Sequence, residues 1–399
     1  MPAPSLRSPV TVLAFGGAVL AISLGIRHSF GIFLQPMTLD SGWGREAFGF
    51  AIALQNLVWG LAQPLVGLLA DRFGARPVVF GGAVLYALGL TIMAHATSSA
   101  ELALSAGVLV GLGLSGTTFA VIFGAVSRAM PAEQRSLAFG VCSAVGSFGQ
   151  FAMLPGSLAL ITRFGWAAAL LALAVLAAAM ALLSRPLAED RGAVAPGAGA
   201  RQVLSEVFTH HGFWLLCLGF FVCGFQVVFI STHLPAYLAD RQLPASVGTT
   251  VLALIGLFNI PGTFFAGLWG GRYPKPRLLA ALYLGRLAAI ALFLLLPATA
   301  TTAYAFAVAM GLLWLGTVPL TNGTIATLFG VRNLSMLAGV AFLFHQVGAF
   351  MGGWLGGMIY DRTGSYDVVW ALSIGLSLLA ALLNFPIREV PLARLRNAL

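Results

Sequence analysis

The chain has 399 residues, of which 59% are hydrophobic and 8% are Asp, Glu, Lys or Arg. Soluble domains are about 25% charged, so this composition excludes a soluble protein and indicates a chain whose surface faces lipid. The net charge of +9 comes from basic residues scattered singly or in pairs, and this scatter argues against nucleic acid as a partner.

Apolar runs of about 20 residues, the length that crosses a bilayer as a helix, recur along the whole chain. They predict twelve transmembrane helices in two groups of six. In chain order the predicted helices lie near 11–37, 45–70, 78–95, 101–126, 135–162, 165–184, 208–238, 246–270, 278–297, 301–328, 335–360 and 367–387. The expected fold class is an all-α membrane protein of two six-helix repeats.

A polar segment rich in Pro and Gly, RPLAEDRGAVAPGAGARQ, separates the two groups of helices. Its composition is typical of an interdomain linker. We therefore expect an N-terminal bundle over 1–188, a cytoplasmic linker over 189–207 and a C-terminal bundle over 208–399.

The distribution of basic residues predicts the orientation in the membrane. With both termini in the cytoplasm, 15 of the 21 Lys and Arg residues fall in inside segments and four in outside segments. Cytoplasmic loops carry such an excess, and the remaining two residues, Arg27 and Arg286, fall inside predicted helices. One lysine beside 20 arginines, with abundant Ala, Leu and Gly, indicates a bacterial inner membrane.

The two groups of helices also repeat each other in sequence. A shift of 199 residues superposes seven pairs, namely Gly25 with Gly224, Pro36 with Pro235, Arg76 with Lys275, Pro77 with Pro276, Gly140 with Gly339, Gly149 with Gly348 and Gly165 with Gly364. Gly and Pro mark kinks and close helix contacts, so the halves are expected to share their backbone geometry. Parallel repeats are the architecture of alternating-access transporters, which bind substrate between the halves.

The segment GLLADRFGARP (67–77) resembles the signature loop of the major facilitator superfamily, and this resemblance covers nearly the whole chain. The matching positions are Gly67, Asp71, Arg72, Gly74 and Arg76. The resemblance implies that Asp71 is held by an arginine at the end of helix four, a role that suits Arg128, and by the start of helix eleven. We expect Asp71, Arg72, Arg76 and Arg128 to act in gating, the alternative being a solvated loop with charges at helix ends. The second-half copy has Gly270 at the aspartate position.

Two further segments resemble the branch that holds monocarboxylate transporters and oxalate/formate antiporters. They are RSLAFGVCSAVGSFGQFAMLP in helix five and HQVGAFMGGWLGGMIYDRTGSYD from helix eleven onward. Monocarboxylate transporters resemble one another in an aspartate and an arginine in helix eight, whereas this chain has Asn259 and Thr263 there. The substrate and proton coupling of that branch therefore do not transfer directly.

Arg27 is the leading candidate for a substrate contact. It lies about 16 residues into helix one, roughly 24 Å along its axis, and all twelve acidic residues fall in loops or at helix ends. Because a cation inside the membrane is costly, an anionic substrate is its natural partner, and a guanidinium matches a carboxylate with two parallel hydrogen bonds. The alternative is an arginine satisfied by backbone carbonyls at a helix break near Gly25.

Nine other residues are expected near the same substrate: His28, Phe30, Gln226, His345, Gln346, Arg286, Thr118, Trp314 and Asn322. His28 either shares the site or carries a proton, the alternative being a structural hydrogen bond. Arg286 would either be a second cation for a dicarboxylate, snorkel to the membrane surface or pack inward. Thr118, Trp314 and Asn322 lie in polar notches of helices four and ten, where helix packing is the alternative. Polar residues that could line the path also occur in helix two, namely Gln55, Asn56 and Gln63.

These observations predict a monomeric secondary transporter of a small mono- or dicarboxylate, working by anion exchange or proton symport. A transporter of a neutral solute or a hydrophobic drug is the main alternative. A sensor or scaffold is disfavoured because the polar segments are too short for an output domain. An enzyme is disfavoured because no catalytic motif is present. No cofactor or metal is expected, since the three cysteines fall in apolar helices.

Overall fold

The computed structural model describes residues 8–41, 45–188 and 200–392. Within these ranges twelve helices are long and apolar enough to cross a membrane, as the apolar runs predict, and no strand is present. In chain order they are α1 (Pro9–Phe33), α2 (Ala47–Phe73), α3 (Ala75–Ala94), α4 (Ser99–Ala129), α5 (Ala132–Phe164), α6 (Trp166–Leu187), α7 (His211–Asp240), α8 (Ser246–Gly270), α9 (Lys275–Leu295), α10 (Ala300–Phe329), α11 (Leu334–Thr363) and α12 (Asp367–Asn384).

Three of these helices are irregular inside the membrane. The last turn of α1 is a 3-10 helix at Phe30–Phe33, after which the chain continues as a short helix at Leu34–Ser41. α4 is interrupted at Thr118, whose backbone is extended, with φ −115° and ψ −167°. α10 is interrupted between the segments Ala300–Leu313 and Thr317–Phe329. The breaks in α4 and α10 fall at equivalent positions of the repeat.

Within each half, one close helix pair is built on a repeated glycine. In the first half, a Cβ added to Gly25 of α1 would lie 2.7 Å from the carbonyl oxygen of Gly149 in α5. In the second half, the equivalent Gly224 of α7 lies against the backbone of α11, which also brings Gly348 against α7. Because only glycine permits such backbone contact, the repeat in sequence corresponds to a repeat in packing.

The two halves meet through α5 with α8 and through α2 with α11. Between α5 and α8, a Cβ on Gly140 would lie 2.7 Å from the Cα of Gly267. Nearer the middle of the membrane, the Nδ2 of Asn259 donates to the Oγ of Ser147 at 2.9 Å. The contact between these helices therefore runs from one end of the bundle to its centre.

The pair α2 and α11 meets at the same end of the bundle. Gly67 packs against the backbone of Ser335, and a Cβ on Gly60 would lie 2.7 Å from the Cβ of Gln346. We call this end, where Asp71 of α2 lies beside Ser335 of α11, the latch end.

At the opposite end the same helix faces are open. A Cβ on Gly49 of α2 or on Gly256 of α8 would meet no atom within 4 Å. Phe151 of α5 and Phe350 of α11, which continue the faces that touch nearer the latch end, are exposed. The halves therefore diverge from the middle of the membrane toward this end.

The predicted linker is partly helical. Its first part, up to residue 199, lies outside the described residues, whereas Ala200–Thr209 forms an amphipathic helix. Val203 and Val207, four residues apart on one face, are buried. The next helix, α7, begins at His211 instead of the predicted 208, because the short helix takes up the residues before it.

Candidate functional site

Two sides of α1 pack against helices of the first half, α5 and α4. Gly25 packs against Gly149 of α5, and the Oγ of Ser23 lies 2.7 Å from the Oγ1 of Thr117 in α4. α4 and α5 also contact helices of the second half. The face of α1 between these two contacts therefore points to the space between the halves.

That face carries Arg27, His28 and Gly31, at successive positions around the helix. Arg27 is partly buried and His28 is exposed, while a Cβ on Gly31 would meet no atom within 4 Å. The Nδ1 of His28 lies 2.8 Å from the carbonyl oxygen of Leu24, so the ring lies against its own helix. Two of the predicted site residues, Arg27 and His28, thus lie on the face of α1 between its contacts with α4 and α5.

Arg27 has one hydrogen-bond partner among the described residues, and it is neutral. The Nη2 of Arg27 donates to the Oδ1 of Asn56 in α2 at 3.0 Å, and its Nε is buried without a partner. The structure gives it no carboxylate partner within the described ranges. Since a charge at the centre of a membrane helix costs about 2.5–3.5 kcal/mol on the insertion scale, this uncompensated cation favours an anionic ligand.

His345 and Gln346, the predicted pair on α11, are linked to Arg27 through Asn56 of α2. The Nε2 of Gln346 donates to the carbonyl oxygen of Asn56 at 3.1 Å, and the Nδ1 of His345 lies 3.3 Å from the Oε1 of Gln346. Both side chains are nearly buried, and the His345 ring stacks on Phe342 with centroids 5.3 Å apart. Asn56 therefore joins Arg27 of the first half to Gln346 of the second.

Arg286 is fully buried. Its Nε and Nη2 donate to the carbonyl oxygen of Leu313 at 3.0 and 2.9 Å, and Nη2 also donates to that of Trp314. These two carbonyls are freed by the break in α10. Of the three alternatives for Arg286, the structure shows inward packing, in which the guanidinium satisfies backbone groups that lipid cannot.

Gln226 belongs to the same buried cluster and does not reach the opening. Its Oε1 accepts from the Nη1 of Arg286 at 3.2 Å, and its Nε2 donates to the Oγ of Ser377 at 2.6 Å and to the carbonyl oxygen of Ser373 at 3.0 Å. The amide has therefore used both of its polar atoms on α9 and α12. The 199-residue shift pairs Gln226 with Arg27 by position, but the two side chains have different neighbours.

Four other predicted contacts are also buried. Phe30 packs in the hydrophobic core. Thr118 lies at the break in α4, where its Oγ1 accepts from the Nε1 of Trp59 at 3.2 Å. The Trp314 carbonyl is held by Arg286, and Asn322 donates to the carbonyl oxygen of Val318 at 2.9 Å. None of these four residues is more than 7% exposed, so each is buried in this conformation, and the Oδ1 of Asn322 has no partner among the described residues.

The three amides of α2 have partners that the sequence did not predict. Gln55 donates to the carbonyl oxygen of Ala106 at 2.7 Å and Gln63 to that of Ser115 at 2.8 Å, both in the irregular part of α4. The third is Asn56, the partner of Arg27. Polar amides in an apolar run are the signal that marks them, since such side chains need a partner inside the membrane, but the signal does not name the partner.

The latch end holds the contact that the signature loop implies. The Nη1 of Arg128 lies 2.9 Å from the Oδ1 of Asp71, which also accepts from the backbone nitrogen of Ser335 at 3.2 Å. The Oδ2 of Asp71 accepts from the backbone nitrogen of Met336 at 2.8 Å. The carboxylate therefore caps the N-terminus of α11, where a negative charge is favourable, and links both halves.

The other two predicted gating residues do not take part in this contact. The side chains of Arg72 and Arg76 are exposed, and Arg72 lies over the ring of Phe73, 5.2 Å from its centroid. Of the four predicted residues, the structure brings Asp71 and Arg128 together and leaves the two exposed arginines at the surface.

Comparison with known proteins agrees with this architecture. Residues 13–353 match the family described as the Major Facilitator Superfamily. Monocarboxylate transporter 11 of Homo sapiens is 28% identical over 92% of this chain and 80% of that protein. The uncharacterized MFS-type transporter YcxA of Bacillus subtilis is 26% identical over 92% of this chain and 93% of that protein.

The fold is also found in a solved structure. A crystal structure of the E. coli fucose:proton symporter, FucP, superposes with a TM-score of 0.74, covering 96% of this chain and 100% of that one at 14% identity. The family match runs from α1 into α11 and so includes most of both halves. The chain therefore belongs to the Major Facilitator Superfamily, and it is an integral membrane transporter and not an enzyme.

Proposed function

We propose that this transporter moves a small organic anion with a single carboxylate by alternating access, and that Arg27 binds the carboxylate. One observation carries the proposal: Arg27 lies on a helix face that borders the opening and has a neutral amide as its described partner. Two N–H groups of a guanidinium in that setting can donate to the two oxygens of a carboxylate. The names of the relatives, which include a monocarboxylate transporter, support the same substrate class.

The hydrogen bonds of Arg286 favour a substrate with one carboxylate over a substrate with two. The donors of Arg286 are directed to the carbonyls of Leu313 and Trp314 and to the Oε1 of Gln226, and the side chain is fully buried. Of the two basic residues predicted inside helices, only Arg27 borders the opening. A second carboxylate would therefore be held without a matching cation, so we propose a monocarboxylate in preference to a dicarboxylate.

We propose that the latch end faces the cytoplasm and that the described conformation is open to the outside. The latch end carries the loops rich in arginine, which favour the cytoplasmic side. Contact between the halves from the latch end to the centre, with open faces beyond, supports a state that admits substrate from outside. A bacterial inner membrane and a monomeric protein complete the proposal.

Two coupling modes are compatible with this site. Exposed His28, next to Arg27, would carry the proton in a symporter. An anion exchanger would need no proton. After the first anion leaves, a second anion would bind at Arg27 and be carried in the opposite direction. A pH gradient imposed on proteoliposomes separates them, because symport is driven by the gradient, whereas exchange requires an anion inside.

The experiment that tests the proposed function measures uptake of labelled acetate, pyruvate, benzoate and succinate into proteoliposomes. We expect saturable uptake of at least one monocarboxylate, lower uptake of succinate, and a loss of at least about tenfold in Arg27→Gln, since hydrogen bonds to charged groups contribute about 1.5–3 kcal/mol. The matched control is Arg277→Gln, an exposed arginine at the latch end, which should transport normally.

Unchanged uptake by Arg27→Gln would contradict the role of Arg27. Thermal stabilisation of the purified protein by neutral or cationic compounds alone, with no response to carboxylates, would instead favour the transport of a neutral solute or a hydrophobic drug.

A further inference from the structure

Asn56 holds a central position between the two halves. Its Oδ1 accepts from Arg27 at 3.0 Å, its Nδ2 donates to the carbonyl oxygen of Ile52 at 3.0 Å, and its own carbonyl oxygen accepts from Gln346 at 3.1 Å. Because the amide nitrogen is used within α2, the oxygen is the atom that must face the guanidinium. The orientation of the amide is therefore fixed by its neighbours.

The position of Asn56 is fixed as well. One turn along α2, a Cβ on Gly60 would lie 2.7 Å from the Cβ of Gln346, so α2 and α11 are in close contact beside the amide. The hydrogen bond from Gln346 then ties this part of α2 to the second half. A rigid acceptor is thus presented to a long side chain that would otherwise sample many rotamers.

Among the described residues, two other polar side chains near this part of α1, Ser23 and Tyr86, have partners of their own. The hydroxyl of Tyr86 donates to the carbonyl oxygen of Ser23 at 3.1 Å, and the Oγ of Ser23 lies 2.7 Å from Thr117. Asn56 is therefore the side chain that orients Arg27 in the structure. One proton of Nη2 points to Asn56, which leaves the second Nη2 proton and those of Nη1 for an anion.

The neutrality of the amide matters as much as its position. Aspartate has nearly the same shape as asparagine, and at this distance it would form an ion pair with Arg27. Such a pair would neutralise the guanidinium and compete with any anion from the opening. An amide oxygen orients the same guanidinium but leaves its charge available.

We propose that Asn56 is the positioning residue of the anion site, holding the Arg27 guanidinium toward the opening without neutralising it. The proposal rests on the proposed function, in which Arg27 binds a monocarboxylate. It makes the choice between Asn and Asp at residue 56 decisive for anion binding.

Two variants of the full-length protein test the proposal, with acetate, pyruvate and benzoate as probes. In Asn56→Asp we expect binding and uptake to fall by about a hundredfold or more, while the midpoint of thermal unfolding stays the same or rises, because the introduced carboxylate pairs with Arg27. In Asn56→Ala we expect KM to rise about tenfold with kcat nearly unchanged, because the guanidinium keeps its charge but loses its orientation.

The opposite changes in stability and binding separate positioning from packing. If Asn56 only packed, both variants would lose stability and binding together, and that result would overturn the proposal. Uptake by Asn56→Asp within about threefold of the unsubstituted protein, less than the loss of one hydrogen bond to a charged group, would also overturn it. If Asn56→Asp does not fold, the KM of Asn56→Ala decides, and an unchanged KM overturns the proposal.

Arg27→Gln, measured beside these variants, separates the positioning role of Asn56 from anion binding by Arg27. Loss of uptake in Arg27→Gln with normal uptake in Asn56→Asp rejects the positioning role alone. Normal uptake in Arg27→Gln rejects the proposed function, whatever the Asn56 variants do.

Discussion

Arg27 and Arg286 carry the same guanidinium on different helices, and their nearest acceptors separate their roles. Arg286 donates to the carbonyls of Leu313 and Trp314, which the break in α10 has released. Arg27 donates to one amide and borders the opening. Backbone carbonyls at a helix break, the alternative partners for Arg27, are instead the partners of Arg286.

At the residue scale, Arg286→Gln should destabilise the protein without weakening anion binding by the folded fraction. The variant leaves the carbonyls of α10 without donors inside the membrane, at a cost of about 2–4 kcal/mol. The measurement is thermal unfolding in detergent together with carboxylate binding. Arg277→Gln on the same helix is the control, because Arg277 is exposed. A stable Arg286→Gln protein that no longer binds carboxylates would show instead that Arg286 contacts the substrate.

At the element scale, the helices are held by side chains that repair irregular backbone. Gln63 of α2 donates to the carbonyl oxygen of Ser115 beside the break in α4. The Oδ1 of Asn259 accepts from the backbone nitrogen of Leu315 at 3.0 Å in the break of α10. Backbone groups without partners are very costly in lipid, so polar residues that resemble site candidates in the sequence serve the backbone.

The ion pair between Asp71 and Arg128 at the latch end can be tested by its effect on the contact between the halves. Asp71 and Arg128 have side chains 3% and 7% exposed, and removing one partner of a buried pair costs about 3–5 kcal/mol. Asp71→Asn should therefore shift the equilibrium away from the latched state by at least about tenfold. The reporter is maleimide labelling of Ser335→Cys, a buried position on α11, which should become about tenfold faster.

Arg72→Gln is the control for the latch, since Arg72 is adjacent to Asp71 in sequence but exposed. It should leave the labelling rate of Ser335→Cys unchanged. Equal rates in Asp71→Asn and the unsubstituted background would show that this ion pair does not hold the halves together.

At the scale of the whole molecule, the two halves repeat in backbone but differ in charge. The position equivalent to Asp71 is Gly270, which packs against Ser136 at the start of α5. Lys275, the equivalent of Arg76, pairs with Glu389 at 2.6 Å, within the second half. Among the described residues, the Asp71–Arg128 pair thus has no charged counterpart between α5 and α8, which meet through close backbone packing and the hydrogen bond from Asn259 to Ser147.

The proposed orientation is tested by labelling intact cells with a membrane-impermeant maleimide. Arg163→Cys, at the opposite end from the latch, should react in intact cells, whereas Arg272→Cys should react only after permeabilisation. Both native side chains are exposed. The three native cysteines are buried and give a low background. The reverse pattern would place the latch end outside the cell.

The sequence by itself determined the solvent, the number of helices and the repeat. These follow from composition and from the length of apolar runs, because lipid requires about 20 apolar residues in every crossing whatever the neighbouring helices are. The repeated glycines, such as Gly25 and Gly224, could also be found from the sequence, since close backbone contact leaves little choice of residue. The signature loop in turn pointed to Asp71 and Arg128.

Only the tertiary structure decided which polar side chains meet the opening. The sequence predicts a substrate contact for Gln226, Arg286 and Trp314. In the structure they hydrogen-bond instead to other helices of the second half, with partners on α9, α10 and α12. A hydrogen bond depends on distances between helices and on where a helix is interrupted, and neither is encoded in the local pattern. For the same reason the contact of Asn56 with Arg27 became visible only when α1, α2 and α11 were packed together.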